Sequence, residues 1–295
     1  MKTLILAASV ALVALLGLPR PAAASPFDAS RVPATAEGVG HVDVDALRKT
    51  TIYSLVSAKL LKDGKLDIDP KMRPIATALM NSAQGVTFWM GNDTGAAIVK
   101  LSSTTLVKPL LDKMATPKTV TIGGKSVARY KIQGETTQIA LVGDLLVISG
   151  DDPSIARTLD VVTGKAKSIA KGKVPAPTAN GVFFFASLGD KLLDKVKKAA
   201  ESQTLKVDMT ALTIDVGEVS AELRGRVRAV MATAENAQKV KGVVDGLLAL
   251  ASLADEAQKV EAILKRISVT VNGKALEIAV SIPSAELLKI AETMK

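Results

Sequence analysis

The feature that most constrains this chain is a strand–turn–strand–helix pattern in residues 266–295. Asn272-Gly273 predicts a two-residue hairpin turn, because both residues tolerate the positive φ that such a turn requires. Apolar residues occupy alternate positions on both sides of the turn: Ile267, Val269, Val271, Leu276, Ile278, Val280 and Ile282. This alternation predicts two antiparallel strands that share one apolar face. Pro283-Ser284 then predicts a helix start, since proline is favoured in a first helical turn.

The same order of elements occurs earlier, in residues 138–162. Apolar runs flank Gly143-Asp144, and the segment 151–154 precedes a helical pattern. We interpret the two stretches as an internal repeat, one module used twice. Since tight turns join most of the strands, the chain is predicted to be α+β: two related modules, each a mainly antiparallel sheet with helices packed on one face.

The predicted domain boundaries follow shifts in composition. Residues 164–177 are rich in lysine and contain two prolines, which is typical of a linker. The first module is therefore predicted at 37–163 and the second at 178–295.

The N-terminal residues 1–24 have the composition of a signal peptide. Lys2 supplies a positive start, residues 4–18 are apolar, and small residues end the segment at Ala24. The apolar run is shorter than the roughly 20 residues that span a membrane, although an uncleaved N-terminal anchor is the alternative. Cleavage near Ala24 predicts a periplasmic or secreted protein and leaves 25–36 as a flexible lead-in.

Composition and net charge reduce the number of function classes that fit this chain. The chain has 295 residues, a net charge of +9 and no cysteine, so disulfides are excluded. Loss of residues 1–24 removes Lys2 and Arg20 and lowers the net charge to +7. Aromatic residues make up 3% of the chain, which disfavours the stacking platforms that bind single-stranded nucleic acid or sugars. We therefore predict a basic, exported protein with no sequence-specific nucleic-acid partner.

The opening of the first module resembles that of certain exported bacterial proteins of unassigned function. The resemblance rests on Val32-Pro33-Ala34 and on His-Val-Asp-Val-Asp-Ala-Leu, from His41 to Leu47. It implies an exported α+β protein. It carries no catalytic motif and implies no activity.

His41 is the sole histidine, so any histidine-based catalysis would depend on it. It precedes Asp43 and Asp45 on a predicted strand, and the three side chains are a candidate acid–base or metal-ligand set. The alternative, which we favour, is a strand residue beside a helix cap. A hydrolase that uses Asp43 and Asp45 is the least favoured function.

A second acidic group, Asp63, Asp67 and Asp69, resembles a calcium loop only in part. An EF-hand loop ends in a glutamate at its twelfth position, where this chain has Pro74. We predict a solvated loop, and no catalytic, cofactor-binding or metal site anywhere in the chain.

A row of arginines is the first candidate binding site. Arg224, Arg226 and Arg228 alternate on one predicted strand, which follows a predicted turn at Gly217. Alternation places the three guanidinium groups on one face, where they can bind an anionic polymer or membrane surface. The alternative is the ordinary solvated side of a sheet.

An apolar helical stretch is the second candidate. Leu247, Leu248, Leu250 and Leu253 lie in a segment that is apolar almost all round a helix. Such a segment is either a buried helix or a surface that binds a partner.

These features together predict an exported, non-enzymatic envelope protein with a binding or structural role. It would hold a protein or apolar partner, such as another envelope protein or a lipid. Binding of an anionic polymer through the arginine row is the alternative.

Overall fold

The computed structural model describes residues 26–55, 78–91, 94–105, 107, 109, 118–132, 135–169, 181–189, 192–194, 208–253 and 261–287, except 80 and 262. The predicted signal peptide, the acidic loop at 63–69 and most of the predicted linker lie outside these residues.

Strands dominate the described part of the chain. They are β1 Gly38–Asp43, β2 Ala83–Gly91, β3 Thr94–Leu101, β4 Lys118–Ile122, β5 Lys125–Ile132, β6 Glu135–Val142, β7 Leu145–Ser149, β8 Val182–Leu188, β9 Met209–Val219, β10 Glu222–Met231, β11 Ile267–Asn272 and β12 Ala275–Pro283. The helices with described bounds are a 3₁₀ turn, Ala29–Arg31, and α1 Val44–Arg48, α2 Asp152–Val162 and α3 Ala234–Leu253.

The predicted fold class is wrong. The α+β prediction required two related modules, each a sheet with helices packed on one face. The described strands instead pair in a mostly antiparallel arrangement in each unit of the chain, and the fold is β-rich. A hairpin sequence specifies its own turn and register, but not the strand beside which the hairpin is placed. Strand β7 of the earlier hairpin pairs with β3, whereas β12 of the C-terminal hairpin pairs with β10.

Two compact units make up the chain. The first contains Met1–Lys49 and Val56–Ala176, and the second contains Thr50–Leu55 and Pro177–Lys295. In the first unit the strand order is β1-β2-β3-β7-β6-β5-β4, and in the second it is β11-β12-β10-β9-β8. Neighbouring strands within each unit are antiparallel.

Helix α2 closes one core of the first unit. Its amphipathic pattern turns Ile155 and Leu159 toward β5, β6 and β7, where both are fully buried. Burial of each side chain contributes about 2 kcal/mol to the stability of the fold. Asp151 begins the helix by accepting a hydrogen bond of 2.7 Å from the Ser154 amide, which satisfies one of the unpaired N–H groups of the first turn.

The predicted lead-in is part of a second core in the same unit. Val32 is fully buried and packs with Trp89. The Ile169 amide donates to the Val32 carbonyl oxygen at 2.8 Å, and the Ala34 amide donates to that of Lys167 at 3.2 Å. Residues 26–36, expected to be a flexible lead-in, are therefore held by backbone hydrogen bonds and apolar packing.

In the second unit, helix α3 packs on β10, β11 and β12. Ala237 and Val240 face the sheet and lie against Ala229 and Leu276. All four are buried. Leu276 belongs to the apolar face that the alternating residues of β12 predict, and this face packs against the helix.

The turn between β9 and β10 lies at Ser220 and Ala221, whose φ angles are 54° and 60°. The prediction of a turn at Gly217 is wrong. A Cβ at Gly217 would lie 2.6 Å from the carbonyl oxygen of Gly181, so glycine is needed there for close strand packing and not for a turn.

Candidate binding surface

Helix α3 exposes an apolar face along its C-terminal half. The Thr233 hydroxyl caps its start by accepting from the Asn236 amide at 3.1 Å. Four large apolar side chains are exposed and form what we call the leucine face: Val243 (38% exposed), Leu247 (60%), Leu250 (65%) and Leu253 (80%). Leu248 is half-buried instead. Three of the four leucines predicted from the sequence therefore belong to this surface, and Val243 was missed.

The leucine face is a continuous stripe. Val243, Leu247, Leu250 and Leu253 are spaced by three or four residues, which places them on one side of a helix over about 15 Å. Beside them, a Cβ added at Gly242 or Gly246 would meet no atom within 4 Å. The backbone of α3 is thus open to close approach along this side.

The charged residues of α3 neutralise one another. Lys239 pairs with Glu235 at 2.7 Å, and Lys241 pairs with Asp245, each across one helical turn. The hydrogen bond from Lys239 lowers the pKa of Glu235. The helix therefore carries two positive and two negative side chains beside its apolar stripe.

The arginine row is interleaved with carboxylates. Arg224, Arg226 and Arg228 lie on one face of β10, as alternation predicted. Arg226 donates to Asp215 of β9 at 3.0 Å and lies 3.8 Å from Glu277 of β12. The hydrogen bond to Asp215 raises the pKa of Arg226, although burial opposes the charged form.

Arg224 lies near Glu222, the acidic residue of the same strand. Its guanidinium is 3.5 Å from the carboxylate of Glu222, and Arg224 is exposed whereas Glu222 is half-buried. Arg228 is exposed as well. The row is thus a strip of alternating charges and not a field of one sign, which weakens its attraction for an anionic polymer.

The candidate catalytic set does not converge. His41 is buried, its Nδ1 lies 2.9 Å from the Thr87 hydroxyl, and its ring centroid is 5.9 Å from that of Phe27. Asp43 caps α1 by accepting from the Ala46 amide at 2.8 Å. Each side chain therefore has a structural contact of its own, and among the described residues no three His, Asp or Glu side chains are grouped as metal ligands.

Asp45 makes a buried ion pair. Its Oδ1 is 3.2 Å from Nη1 of Arg48, which also donates to the Ala83 carbonyl oxygen at 2.9 Å. Burial raises the pKa of Asp45 even though the Arg48 guanidinium favours its charged form. This pair fastens α1 to the start of β2.

A polar cluster around Glu218 was not predicted from the sequence. Its carboxylate accepts from the backbone amides of Thr51 and Ile52, the latter at 2.9 Å, and from the Ser284 hydroxyl at 2.6 Å. Glu218 follows Val216 on the apolar side of β9. A carboxylate on the apolar side of a strand is the sequence signal that could have indicated this partly buried polar contact.

Comparison with solved structures identifies the fold. The protein TP0453 is similar in its crystal form I with a TM-score of 0.53 and 11% identity over 93% of this chain and 99% of that one. Its crystal form IV is similar with a TM-score of 0.53 and 10% identity over 90% and 97% of the two chains. No protein-family model and no curated protein matches the sequence.

The described helices were also compared with the requirements of a membrane span. None of them is both long enough and apolar enough to cross a bilayer.

Proposed function

We propose that this chain is an exported, non-enzymatic envelope protein that binds an apolar segment of another envelope protein through the leucine face of α3. The observation that carries the proposal is the exposure of Leu247, Leu250 and Leu253, between 60% and 80%. Covering a leucine side chain contributes about 2 kcal/mol, so a partner that covers all three leucines gains a substantial apolar contribution to binding. An isolated exposed leucine needs no explanation, but a contiguous stripe does.

The charges on α3 favour a protein over a lipid surface. Helices that lie on anionic bilayers carry an excess of lysine and arginine on their polar side. In α3 the pairs Glu235–Lys239 and Lys241–Asp245 leave no such excess. The open backbone at Gly242 and Gly246 suits the close approach of another polypeptide.

The exported location in this proposal is supported by the sequence. Residues 1–24 have the composition of a signal peptide.

Photo-crosslinking in the producing cells tests the proposal. A photoreactive phenylalanine analogue replaces Leu250, and in a matched control it replaces Gln238, which is exposed on another side of the same helix. We expect position 250 to form an adduct with one envelope protein at a yield at least about tenfold above position 238. The double variant Leu247→Ser/Leu253→Ser should reduce that yield, because it removes most of the apolar contact.

Three outcomes would contradict the proposal. One is the absence of any adduct at position 250, and another is an equal yield at positions 250 and 238. The third is an adduct composed only of lipid or of a second copy of this chain, which mass spectrometry of the product would identify.

A further inference from the structure

Strand β11 lies at an edge of the sheet. In the second unit it is the first strand of the order, and in the described residues it pairs with β12 alone. Its pairing with β12 is regular from Ile267 to Asn272, with no bulge. Its outer side is therefore a straight row of backbone N–H and C=O groups, the kind of surface to which another strand can add.

The position of the turn determines which backbone groups of β11 point away from β12. Asn272 and Ala275 close a two-residue hairpin and so form a hydrogen-bonded pair. Because hydrogen-bonded pairs alternate along an antiparallel ladder, the outward groups belong to Ile267, Val269 and Val271. Their side chains lie on the apolar face of the sheet, while Ser268, Thr270 and Asn272 are exposed on the other face.

The strand carries none of the usual protection of an edge. Its six residues include no proline and no charged side chain. Strand β4, at the far end of the first unit's order, begins with Lys118 directly after Pro117. Lysine and proline are the residues that proteins use to prevent edge pairing, so the two edges differ in kind.

The sequence of β11 is complementary to itself. When two copies run antiparallel with Val269 opposite Val269, Ile267 faces Val271 and Ser268 faces Thr270. Apolar side chains then meet apolar ones on one face, polar ones meet on the other, and the outward groups form about six hydrogen bonds.

Charge disfavours the neighbouring register that is centred on Thr270. With Val269 at the centre, Arg266 faces Asn272 of the other copy. Centring the pair on Thr270 would instead place Arg266 opposite Lys274, and like charges directly opposite one another are destabilising.

We infer that β11 is the docking site for β11 of a second copy of this chain, in an antiparallel pair centred on Val269. The pairing is symmetric, as expected for a two-fold dimer, and it continues the sheet of each copy. The inference is independent of the partner proposed for the leucine face.

Disulfide cross-linking of the full chain tests the register, because the chain contains no cysteine of its own. In the inferred pair, residue 268 of one copy lies opposite residue 270 of the other at a Cα separation of about 4.5 Å, which a disulfide can bridge. Variants Ser268→Cys and Thr270→Cys are oxidised separately and as a mixture. We expect the mixture to give at least about ten times more covalent dimer than either variant alone, since equal positions lie about 8 Å apart.

A matched pair on the other edge provides the control. Thr119→Cys and Thr121→Cys have the same spacing on β4, and their mixture should give only the background yield of a random collision. The Leu247→Ser/Leu250→Ser variant should dimerise like the unmodified chain, which separates this inference from the proposed function.

Native mass spectrometry of the unmodified chain completes the test. We expect a dimer that grows with concentration and is lost in Val269→Pro, which removes an outward N–H, but kept in Thr119→Pro. Circular dichroism establishes that both variants are folded. A mixture yield no higher than the β4 control, a Thr270→Cys yield equal to that of the mixture, or a chain that stays monomeric would each overturn the inference.

Discussion

The Ser284 hydroxyl donates a hydrogen bond of 2.6 Å to the carboxylate of Glu218, which lies 66 positions earlier in the chain. The same carboxylate accepts from the amides of Thr51 and Ile52. Ser284 is fully buried, and its own amide donates to the Ala221 carbonyl oxygen at 2.9 Å. One side chain therefore joins three separate segments of the second unit.

Replacing Glu218 should destabilise the second unit. Glu218→Ala leaves the buried Ser284 hydroxyl without its acceptor, and we expect the free energy of unfolding to fall by about 2 kcal/mol. Urea unfolding followed by circular dichroism measures the change. Glu222→Ala is the matched control, because the Glu222 side chain is 42% exposed and its short hydrogen bond comes from one side chain, that of Ser281 at 2.9 Å. A loss in Glu222→Ala as large as that in Glu218→Ala would contradict the assignment.

The contribution of Glu218 should depend on pH. Burial acts to raise its pKa, but the hydrogen bonds from Ser284, Ile52 and Thr51 together lower the pKa below the ordinary value of 4.5. A carboxyl whose pKa is lower in the folded state stabilises the fold above its unfolded pKa, and this stability is lost as pH falls through the folded pKa. We expect the stability difference between the unmodified chain and Glu218→Gln to be constant near neutral pH and to shrink in acid. A difference that stays constant down to strongly acidic pH would contradict this account.

The buried pair of Asp45 and Arg48 should show strong coupling. Asp45→Ala leaves the Arg48 guanidinium buried without its carboxylate, which costs about 3 kcal/mol, whereas Asp45→Ala/Arg48→Met should recover much of that loss. Trp89, the single tryptophan, is buried in the first unit and reports its unfolding by fluorescence. Additive losses in the double variant would show that the two side chains do not act as a pair.

Replacing the two residues of the β9–β10 turn should stabilise the fold. Ser220 and Ala221 have positive φ angles of 54° and 60°, a region that costs a residue with a Cβ about 1 kcal/mol. The variant Ser220→Asn/Ala221→Gly has the residues that such turns prefer, and we expect it to unfold at higher urea concentration. Gly273→Ala, at a φ of 57° in the β11–β12 turn, is the opposite control and should unfold at lower urea.

Within the arginine row, we expect Arg226 to contribute to the stability of the fold and Arg228 to contribute little. Arg226→Met breaks the half-buried contact with Asp215, and we expect a loss of about 1 kcal/mol in the free energy of unfolding. Arg228→Met changes an exposed side chain and should leave the stability within about 0.5 kcal/mol of the original. Equal losses in the two variants would contradict the division.

Local signals predicted individual turns better than they predicted the assembly of strands. A hairpin with its turn at Asn272-Gly273 was predicted, and the register of β11 on β12 confirms the hairpin but places the two turn residues at Gly273 and Lys274, one position later. Gly217 was predicted to turn the chain, but its missing side chain serves the close approach of Gly181. The sequence alone does not show whether a glycine is needed for its backbone freedom or for its small size. The need for small size depends on how closely a distant strand approaches.

The candidate surface was predictable only in part. Helical spacing identified the leucines of α3, yet spacing alone did not separate exposed Leu250 from half-buried Leu248. Which side of a nearly all-apolar helix meets the sheet depends on how the helix is placed over β11 and β12. Similarly, alternation placed Arg226 on the solvated face, but only the strand order brings Asp215 and Glu277 beside it.

The sequence by itself determined the hairpin of β11 and β12, the shared face of the arginines and the apolar character of α3. These features depend on contacts between residues close in the chain, which turn chemistry and periodicity encode directly. The tertiary structure alone decided the strand order within each β-rich unit, the convergence of three segments on Glu218 and the exposed edge of β11. Those depend on which distant strands become neighbours, and that choice is made by the packing of whole apolar faces rather than by any local pattern.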